Sequence, residues 1–145
     1  MSVPHDPIAI ALAEDIGSGD LTSEYFVGPD LRKARIFVKE SAIAAGVETA
    51  AEVFKRVDPE LAVHIERPSG SSIQPGDTVL RVSGPTRSIL TAERVALNFL
   101  QRLSGIATLT RRYVNAVGNH RARILDTRKT TPGLRTLEKA AVIAG

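Results

Sequence analysis

The 145-residue chain contains no cysteine, which excludes disulfide bonds, thiolate metal sites and cysteine nucleophiles. Its longest apolar stretches, such as residues 8–13, are far shorter than the roughly 20 residues that cross a membrane, so we expect no membrane-spanning segment. With 43% hydrophobic and 24% charged residues, the composition is that of an ordinary folded domain and not of a disordered tail, a collagen or a coiled coil. We therefore predict a cytoplasmic protein with a core of its own.

Basic residues are absent from the first 30 positions, where six acidic residues give a charge of −6. Residues 94–145 are the opposite, because ten basic and two acidic residues give them a charge of +8. A basic region of this kind indicates an anionic partner, which is a nucleic acid, a phosphate or a carboxylate. Composition does not distinguish these three.

Helical and strand patterns alternate in the first part of the chain. Apolar residues at helical spacing predict helices over 7–16, ending in a turn at 17–20, and over 48–57. Alternating apolar and polar residues predict strands over 33–40, 61–65 and 78–82. This order of elements predicts an α/β sandwich.

A long helical pattern begins at residue 88. Its apolar stripe consists of Ala92, Ala96, Phe99, Leu100 and Leu103. The Ser-Gly pair at 104–105 is expected to break or kink the helix, and a second helical segment over 106–117 is expected to end at Gly118.

The last part of the chain has the pattern of a strand, a loop and a helix. Residues 122–126 are predicted to form a short strand, 127–133 a loop, and the helix is expected to start with Thr131 as its N-cap and Pro132 at its first position. One parallel strand with one helix cannot bury both faces of the strand. We therefore predict a sandwich domain over 1–118 and the first strand-loop-helix unit of a second domain over 119–145, where the chain stops.

Thr127, Arg128 and Lys129 form the strongest candidate site. In parallel α/β folds, functional groups collect at the carboxyl ends of strands and beside the amino ends of helices, where anions are favoured. A guanidinium matches a carboxylate or phosphate with two hydrogen bonds, and a neighbouring ammonium adds a mobile charge. The alternative is a solvated basic loop, and the strand-loop-helix context favours the site.

Arg94 is the second candidate, because helical spacing places it opposite the apolar stripe, where it faces solvent or another chain. From spacing alone, an ordinary polar helix face is the better explanation, since amphipathic helices normally have one. No other pattern indicates a catalytic or metal-binding group. The three histidines lack metal-ligand spacing, and solvation at a helix end explains Glu14 and Asp15.

Three segments carry a family resemblance: LAEDIGSGDLTS (12–23), LTAERVALNFLQRLSGIATLT (90–110) and ILDTRKTTPGLRTLEKAAV (124–142). In order and spacing they resemble quinolinate phosphoribosyltransferase, also called nicotinate-nucleotide pyrophosphorylase (carboxylating). The resemblance implies an N-terminal α/β sandwich followed by an incomplete α/β barrel. It also implies a reaction of quinolinate with phosphoribosyl pyrophosphate that gives nicotinate mononucleotide, pyrophosphate and carbon dioxide in NAD biosynthesis.

The resemblance also implies roles for individual residues. Thr127, Arg128 and Lys129 match the substrate-binding stretch of the family, and Arg94 matches an arginine that reaches the site of the neighbouring subunit in a homodimer or a multiple of it. Magnesium is the expected cofactor. Its acidic ligands, and the further catalytic residues of the family, are expected outside these 145 residues, so the chain alone is expected to be inactive.

Two other functions are alternatives to the phosphoribosyltransferase reaction. One is a relative of the same family tied to molybdate transport, against which the intact sequence DTRKT counts. The other is a basic nucleic-acid-binding module, but residues 94–145 contain only Phe99 and Tyr113 as aromatics, and Phe99 lies on the apolar stripe. We therefore expect neither a nucleic acid nor a membrane as a partner.

Overall fold

Helices and strands are interleaved in the first part of the chain, as the sequence predicts. The computed structural model describes residues 6–17, 19, 27, 28 and 30–145. In chain order its elements are α1 (Pro7–Ile16), β1 (Leu31–Phe37), β2 (Ala42–Ile43), α2 (Val47–Val57), β3 (Ala62–Ile65), β4 (Ser72–Ile73), β5 (Thr78–Pro85), α3 (Thr86–Val117) and α4 (Arg135–Ala144). Helix α1 ends at Gly17 as expected, whereas residues 18 and 20 of the predicted turn, and 20–23 of the first family segment, lie outside the described residues.

Strand β5 is the centre of a three-stranded antiparallel sheet, with β1 and β3 paired on its two sides. In the register of this sheet, Leu80 lies opposite Ile36 and Ile65, and all three side chains pack toward the core. Strands β2 and β4, which the sequence analysis did not predict, form a separate antiparallel pair. Only two residues long, each of them is too short to show an alternating pattern.

Helix α3 packs its predicted apolar stripe against the sheet and α2. All five stripe residues are buried, which confirms the helical pattern. The expected break is wrong, because α3 continues without interruption to Val117. Ser104 is held within the helix by hydrogen bonds to the backbone of Ala45, and a single glycine costs a helix only about 1 kcal/mol relative to alanine. The chain in its described parts has no helix that is both long and apolar enough to span a membrane.

Residues 122–126 are exposed and form no regular secondary structure, so the predicted strand is wrong for this chain. A strand needs a neighbour to pair its backbone groups, and no described residue pairs with this segment. Helix α4 begins at Arg135, with Leu134 as its N-cap, instead of at Pro132. Pro132 and Gly133 form a turn closed by the Leu134 N–H on the Thr131 carbonyl, because Pro-Gly favours a turn over the start of a helix.

Gly46 sets the distance between α2 and α3. Its φ is 75°, and a Cβ built on it would lie 2.4 Å from Cδ1 of the buried Leu103.

We expect Gly46→Ala to lower the free energy of unfolding by about 2 to 4 kcal/mol, through left-handed backbone strain together with overpacking. Urea denaturation of this variant and of Gly76→Ala separates the two causes. Gly76 also has a positive φ, of 93°, but nothing lies within 4 Å of its Cβ position, so only the strain of about 1 kcal/mol is expected there. Equal losses in the two variants would contradict a role for the close approach to Leu103.

Candidate functional site

The candidate loop, residues 126–131, is fastened to one side of α4. At its start, Lys139 Nζ lies 2.9 Å from Asp126 Oδ2. In its middle, Arg135 donates hydrogen bonds of 3.3 Å to Thr130 Oγ1 and to the Arg128 carbonyl. The sequence after the loop therefore encodes the cations that hold the loop, at spacings that place them on neighbouring turns of one helix.

The end of the loop is held by Glu138, an acidic residue of α4 that is only 7% exposed. Its Oε2 accepts a hydrogen bond of 3.1 Å from the Thr131 N–H. Its Oε1 accepts two hydrogen bonds from Arg102 of α3, at 3.0 Å from Nε and 2.6 Å from Nη2. Arg102 also donates to the Thr131 hydroxyl, so that α3, the loop and α4 meet at one ion pair.

Burial of Glu138 alone would raise the pKa of its carboxyl group. The hydrogen bonds from Arg102 and Thr131 outweigh burial and hold the pKa below its ordinary value of 4.5. A carboxyl whose pKa is lower in the folded than in the unfolded chain stabilises the fold above that ordinary value, and the stabilisation is lost as the pH falls through the folded pKa.

The stability of the chain is therefore expected to depend on Glu138 in a pH-dependent way. Glu138→Gln should lower the free energy of unfolding at about pH 7 and should have progressively less effect as the pH is lowered toward about 3. Urea denaturation across this range measures the difference, and Glu40→Gln, at an exposed glutamate without a described partner, is the control. A Glu138→Gln difference that stays constant with pH would contradict the lowered pKa.

Arg128 and Lys129 differ from Arg102, Arg135 and Lys139, since neither side chain forms a hydrogen bond or ion pair with another described residue and both are exposed. Thr127 contributes its hydroxyl group, which accepts a hydrogen bond of 3.1 Å from the Lys129 N–H and shapes the backbone between them. The backbone of the loop is thus fixed while its two cations stay unpaired. This arrangement suits the binding of an anion, because little side-chain pairing has to be broken first.

Arg94 projects from α3 with 73% of its side chain exposed, as its position opposite the apolar stripe predicts. It forms an ion pair of 3.0 Å with Asp15, whose side chain is 22% exposed. The sequence analysis missed this partner and assigned Asp15 to solvation at a helix end. The sequence did indicate that Asp15 needs a basic partner. The last turn of α1 carries Glu14 and Asp15 and no basic residue, and the helix dipole disfavours negative charge there.

Arg94 and the loop are not in contact within this chain. Eight residues separate Arg94 from Arg102, which is about 12 Å along the axis of α3. A groove of about 330 Å³ runs between α1, α3 and the turn that follows the loop, and Asp15 and Arg102 both line it. The structure therefore brings Thr127, Arg128 and Lys129 together and places Arg94 apart from them.

A metal site is not formed by the described residues. Across 6–17, 19, 27, 28 and 30–145 there is no group of three or more His, Cys, Asp or Glu side chains that could hold an ion. Asp126 and Glu138, the acidic residues nearest the candidate loop, are each occupied by a basic side chain.

Comparison with solved structures identifies close matches to the whole arrangement. NadC from Streptococcus pyogenes is 42% identical and superposes with a TM-score of 0.90, over 95% of this chain and 50% of that one. The nicotinate-nucleotide pyrophosphorylase from Francisella tularensis is 35% identical with a TM-score of 0.92, over 99% of this chain and 53% of that one. The α/β architecture is therefore that of the N-terminal portion of these proteins.

Curated relatives agree with the structural matches. The probable nicotinate-nucleotide pyrophosphorylase (carboxylating) of Bacillus subtilis is 44% identical over 132 residues, which cover 91% of this chain and 46% of that protein. The chloroplastic nicotinate-nucleotide pyrophosphorylase (carboxylating) of Arabidopsis thaliana is 46% identical over 140 residues, 95% of this chain and 40% of that protein. The chain thus spans somewhat less than half the length of these relatives.

Two domain families match adjoining parts of the chain. The N-terminal domain of quinolinate phosphoribosyl transferase matches residues 20–104, and the C-terminal domain of the same enzyme matches residues 106–145. Together they cover the sheet, α3, the candidate loop and α4, in the same order as in the relatives. The chain belongs to the quinolinate phosphoribosyltransferase family.

Proposed function

We propose that a protein of the relatives' full length carrying this chain transfers the phosphoribosyl group of phosphoribosyl pyrophosphate to quinolinate, with release of pyrophosphate and carbon dioxide. The product is nicotinate mononucleotide. The observation that carries the proposal is the loop at 126–131, whose backbone is held against α4 while the cations of Arg128 and Lys129 pair with none of the residues that the structure describes. Both substrates are anions, and the names of the family and of the relatives support the same reaction.

Within this reaction, Arg128 binds a carboxylate of quinolinate, because its planar guanidinium can donate two parallel hydrogen bonds to it. Lys129 binds the phosphoribosyl substrate as a mobile positive charge. Thr127 shapes the loop between them through its hydroxyl group. Transfer breaks the bond between the anomeric carbon and pyrophosphate and forms a bond from that carbon to the ring nitrogen. The bond between the ring and the carboxylate beside that nitrogen then breaks to release carbon dioxide, and the electron pair left on the ring carbon takes up a proton. Fixed cations assist by orienting both anions and by stabilising the departing pyrophosphate.

Arg94 acts in trans in this proposal, on the quinolinate of the neighbouring subunit in a homodimer or a multiple of it. Its exposure, its position opposite the core-facing stripe and its separation from the loop of its own chain support this role. Within its own chain, Asp15 pairs with the Arg94 guanidinium and neutralises it when no substrate is bound.

Magnesium is proposed as the cofactor of the full-length protein from the family resemblance alone. The described residues do not fit it, because they contain no cluster of three potential ligands and the acidic side chains near the loop are already paired. We therefore derive no step of the reaction through the metal.

We also propose that the sandwich domain extends over 1–118 and that 119–145 opens the barrel domain. Exposed apolar side chains at Ile124, Leu125 and Ile143 support this division, since they are available to pack against further barrel elements. A cytoplasmic location is proposed from the sequence, whereas plant relatives include chloroplastic and mitochondrial proteins.

A substrate panel tests the reaction. The full-length protein is incubated with phosphoribosyl pyrophosphate, magnesium and either quinolinate, nicotinate or nicotinamide, and the nucleotide product and carbon dioxide are quantified. We expect nicotinate mononucleotide and carbon dioxide in equal amounts from quinolinate alone. Turnover of another ring acid without turnover of quinolinate would contradict the proposal.

Binding to random-sequence DNA separates the enzyme from the nucleic-acid module. We expect no binding at physiological salt, although the chain has a net charge of +3 and a basic final third. An affinity that falls steeply as salt is raised would favour the module, because it reports the release of counterions from phosphates.

A further inference from the structure

Glu138 is a buried acid that the proposed substrate contacts do not use. It is 7% exposed, and acidic residues are rarely buried to this extent unless they are paired. Its partners come from two other parts of the chain: Arg102, 36 residues earlier on α3, and Thr131, at the end of the candidate loop. The carboxylate therefore lies where α3, α4 and the loop meet.

Both oxygens of Glu138 are fully engaged, and each faces a different element. Oε1 receives two hydrogen bonds from the guanidinium of Arg102, and Oε2 receives the backbone N–H of Thr131. Arg102 in turn donates to the Thr131 hydroxyl, which closes a ring of three residues. A backbone N–H held in this way fixes the main chain and not merely a side chain.

Stability alone does not explain this ion pair. The Glu138 carboxylate is buried, whereas the Arg102 side chain is 47% exposed. Taking the carboxylate out of water offsets much of its attraction to the guanidinium, which solvent also screens, so the net gain in stability is small. A charged network does specify one geometry, because hydrogen bonds to carboxylates and guanidinium groups are directional. Here the geometry that is specified is the position of Thr131, two residues after Lys129.

We propose that Glu138, acting through Arg102, is a positioning residue that sets the backbone of the loop so that Arg128 and Lys129 present their cations to the substrates. The inference rests on the proposed function for its kinetic consequence, but the fixing of the loop is independent of any reaction. Arg102 is neutralised by Glu138 and does not itself bind the anions.

Two single variants and their combination test the kinetic part in the full-length protein. Glu138→Gln keeps the shape, but its amide has one accepting oxygen and cannot satisfy both Arg102 and Thr131. Arg102→Lys keeps the charge but loses the fork of donors. Each is expected to raise the KM for quinolinate by about 10- to 100-fold, with kcat at saturating substrate changed by less than about threefold. The double variant should be no worse than the more affected single variant by more than about twofold, because the two residues act as a unit.

Exposed residues of the same types provide controls. Glu40→Gln and Arg112→Lys change an exposed glutamate and an exposed arginine that have no described partner, and both should keep the KM for quinolinate. A loss of stability is expected under either role, whereas a merely structural role for Glu138 would leave the KM for quinolinate unchanged and reduce only the amount of active protein, and this result would overturn the proposal. If Glu138→Gln does not fold, the KM of Arg102→Lys for quinolinate distinguishes the positioning role from a merely structural one in the same way.

Amide hydrogen exchange in the 145-residue chain tests the fixing of the loop without any substrate. The Thr131 N–H is expected to exchange at least about tenfold faster in Glu138→Gln than in the unsubstituted chain, a larger acceleration than that of the β5 amides, which report only the lower free energy of global unfolding. Unchanged exchange at Thr131 would overturn the proposal. Absence of quinolinate turnover by the unsubstituted full-length protein would reject the proposed function, and the exchange result would then decide the fixing of the loop on its own.

Discussion

Arg128→Ala in the full-length protein is expected to raise the KM for quinolinate by roughly 30- to 150-fold, which corresponds to the loss of about 2 to 3 kcal/mol from a charge-assisted contact. The effect should be large because no described residue of this chain pairs with the Arg128 side chain and holds it away from a ligand. Lys129→Ala should have a smaller effect on quinolinate and should raise mainly the KM for phosphoribosyl pyrophosphate.

Steady-state kinetics with each substrate varied in turn measures both effects. Arg123→Ala is the matched control, since Arg123 is an exposed arginine close to the loop without a described partner, and it should change neither KM. Equal effects of Arg128→Ala and Lys129→Ala on both KM values would contradict the division of roles between the two cations.

Mixing two full-length variants, Arg94→Ala and Arg128→Ala, is expected to restore activity at a quinolinate concentration well below their raised KM values, where each variant alone is almost inactive. Random exchange of subunits makes about half of the dimers mixed, and each mixed dimer has one site with both arginines intact, so about a quarter of the original activity should return. The physical basis is that Arg94 and the loop are apart within one chain, whereas a second subunit can bring its own Arg94 to the loop.

The control for this experiment is each variant incubated alone under the same conditions, which should stay inactive. Exchange of subunits is followed independently, with one variant carrying an affinity tag. Proven exchange without any return of activity would show that Arg94 acts within its own subunit, and it would remove the requirement for a dimer.

Local sequence patterns predicted the features that depend only on residues close together in the chain. The stripe from Ala92 to Leu103 could be predicted because all its residues lie on one face of one helix, and the structure buries all five of them. The end of α3 at Gly118 is readable for a similar reason, because its positive φ of 53° suits glycine. The break expected at 104–105 was wrong because contacts of Ser104 with a distant segment, at Ala45, outweighed the local preference.

Contacts between distant residues explain what the sequence analysis did not predict at the site. Asp15 and Arg94 are 79 residues apart, and Arg102 and Glu138 are 36 apart, so no local spacing indicates either ion pair. The loop itself was predicted, since TRKTTPG combines polar residues with a Pro-Gly turn. Its fastening to α4 was not predicted, because it depends on where Arg135, Glu138 and Lys139 point once the helix has formed.

The central claim is that the loop of one subunit and Arg94 of another form a single site for quinolinate. A crystal structure of the full-length protein with bound quinolinate tests it most directly. We expect one carboxylate of quinolinate within hydrogen-bonding distance of Arg128 and the ligand also in contact with Arg94 of the partner subunit. Quinolinate bound away from Arg128, for example in the groove between α1 and α3, would contradict the claim.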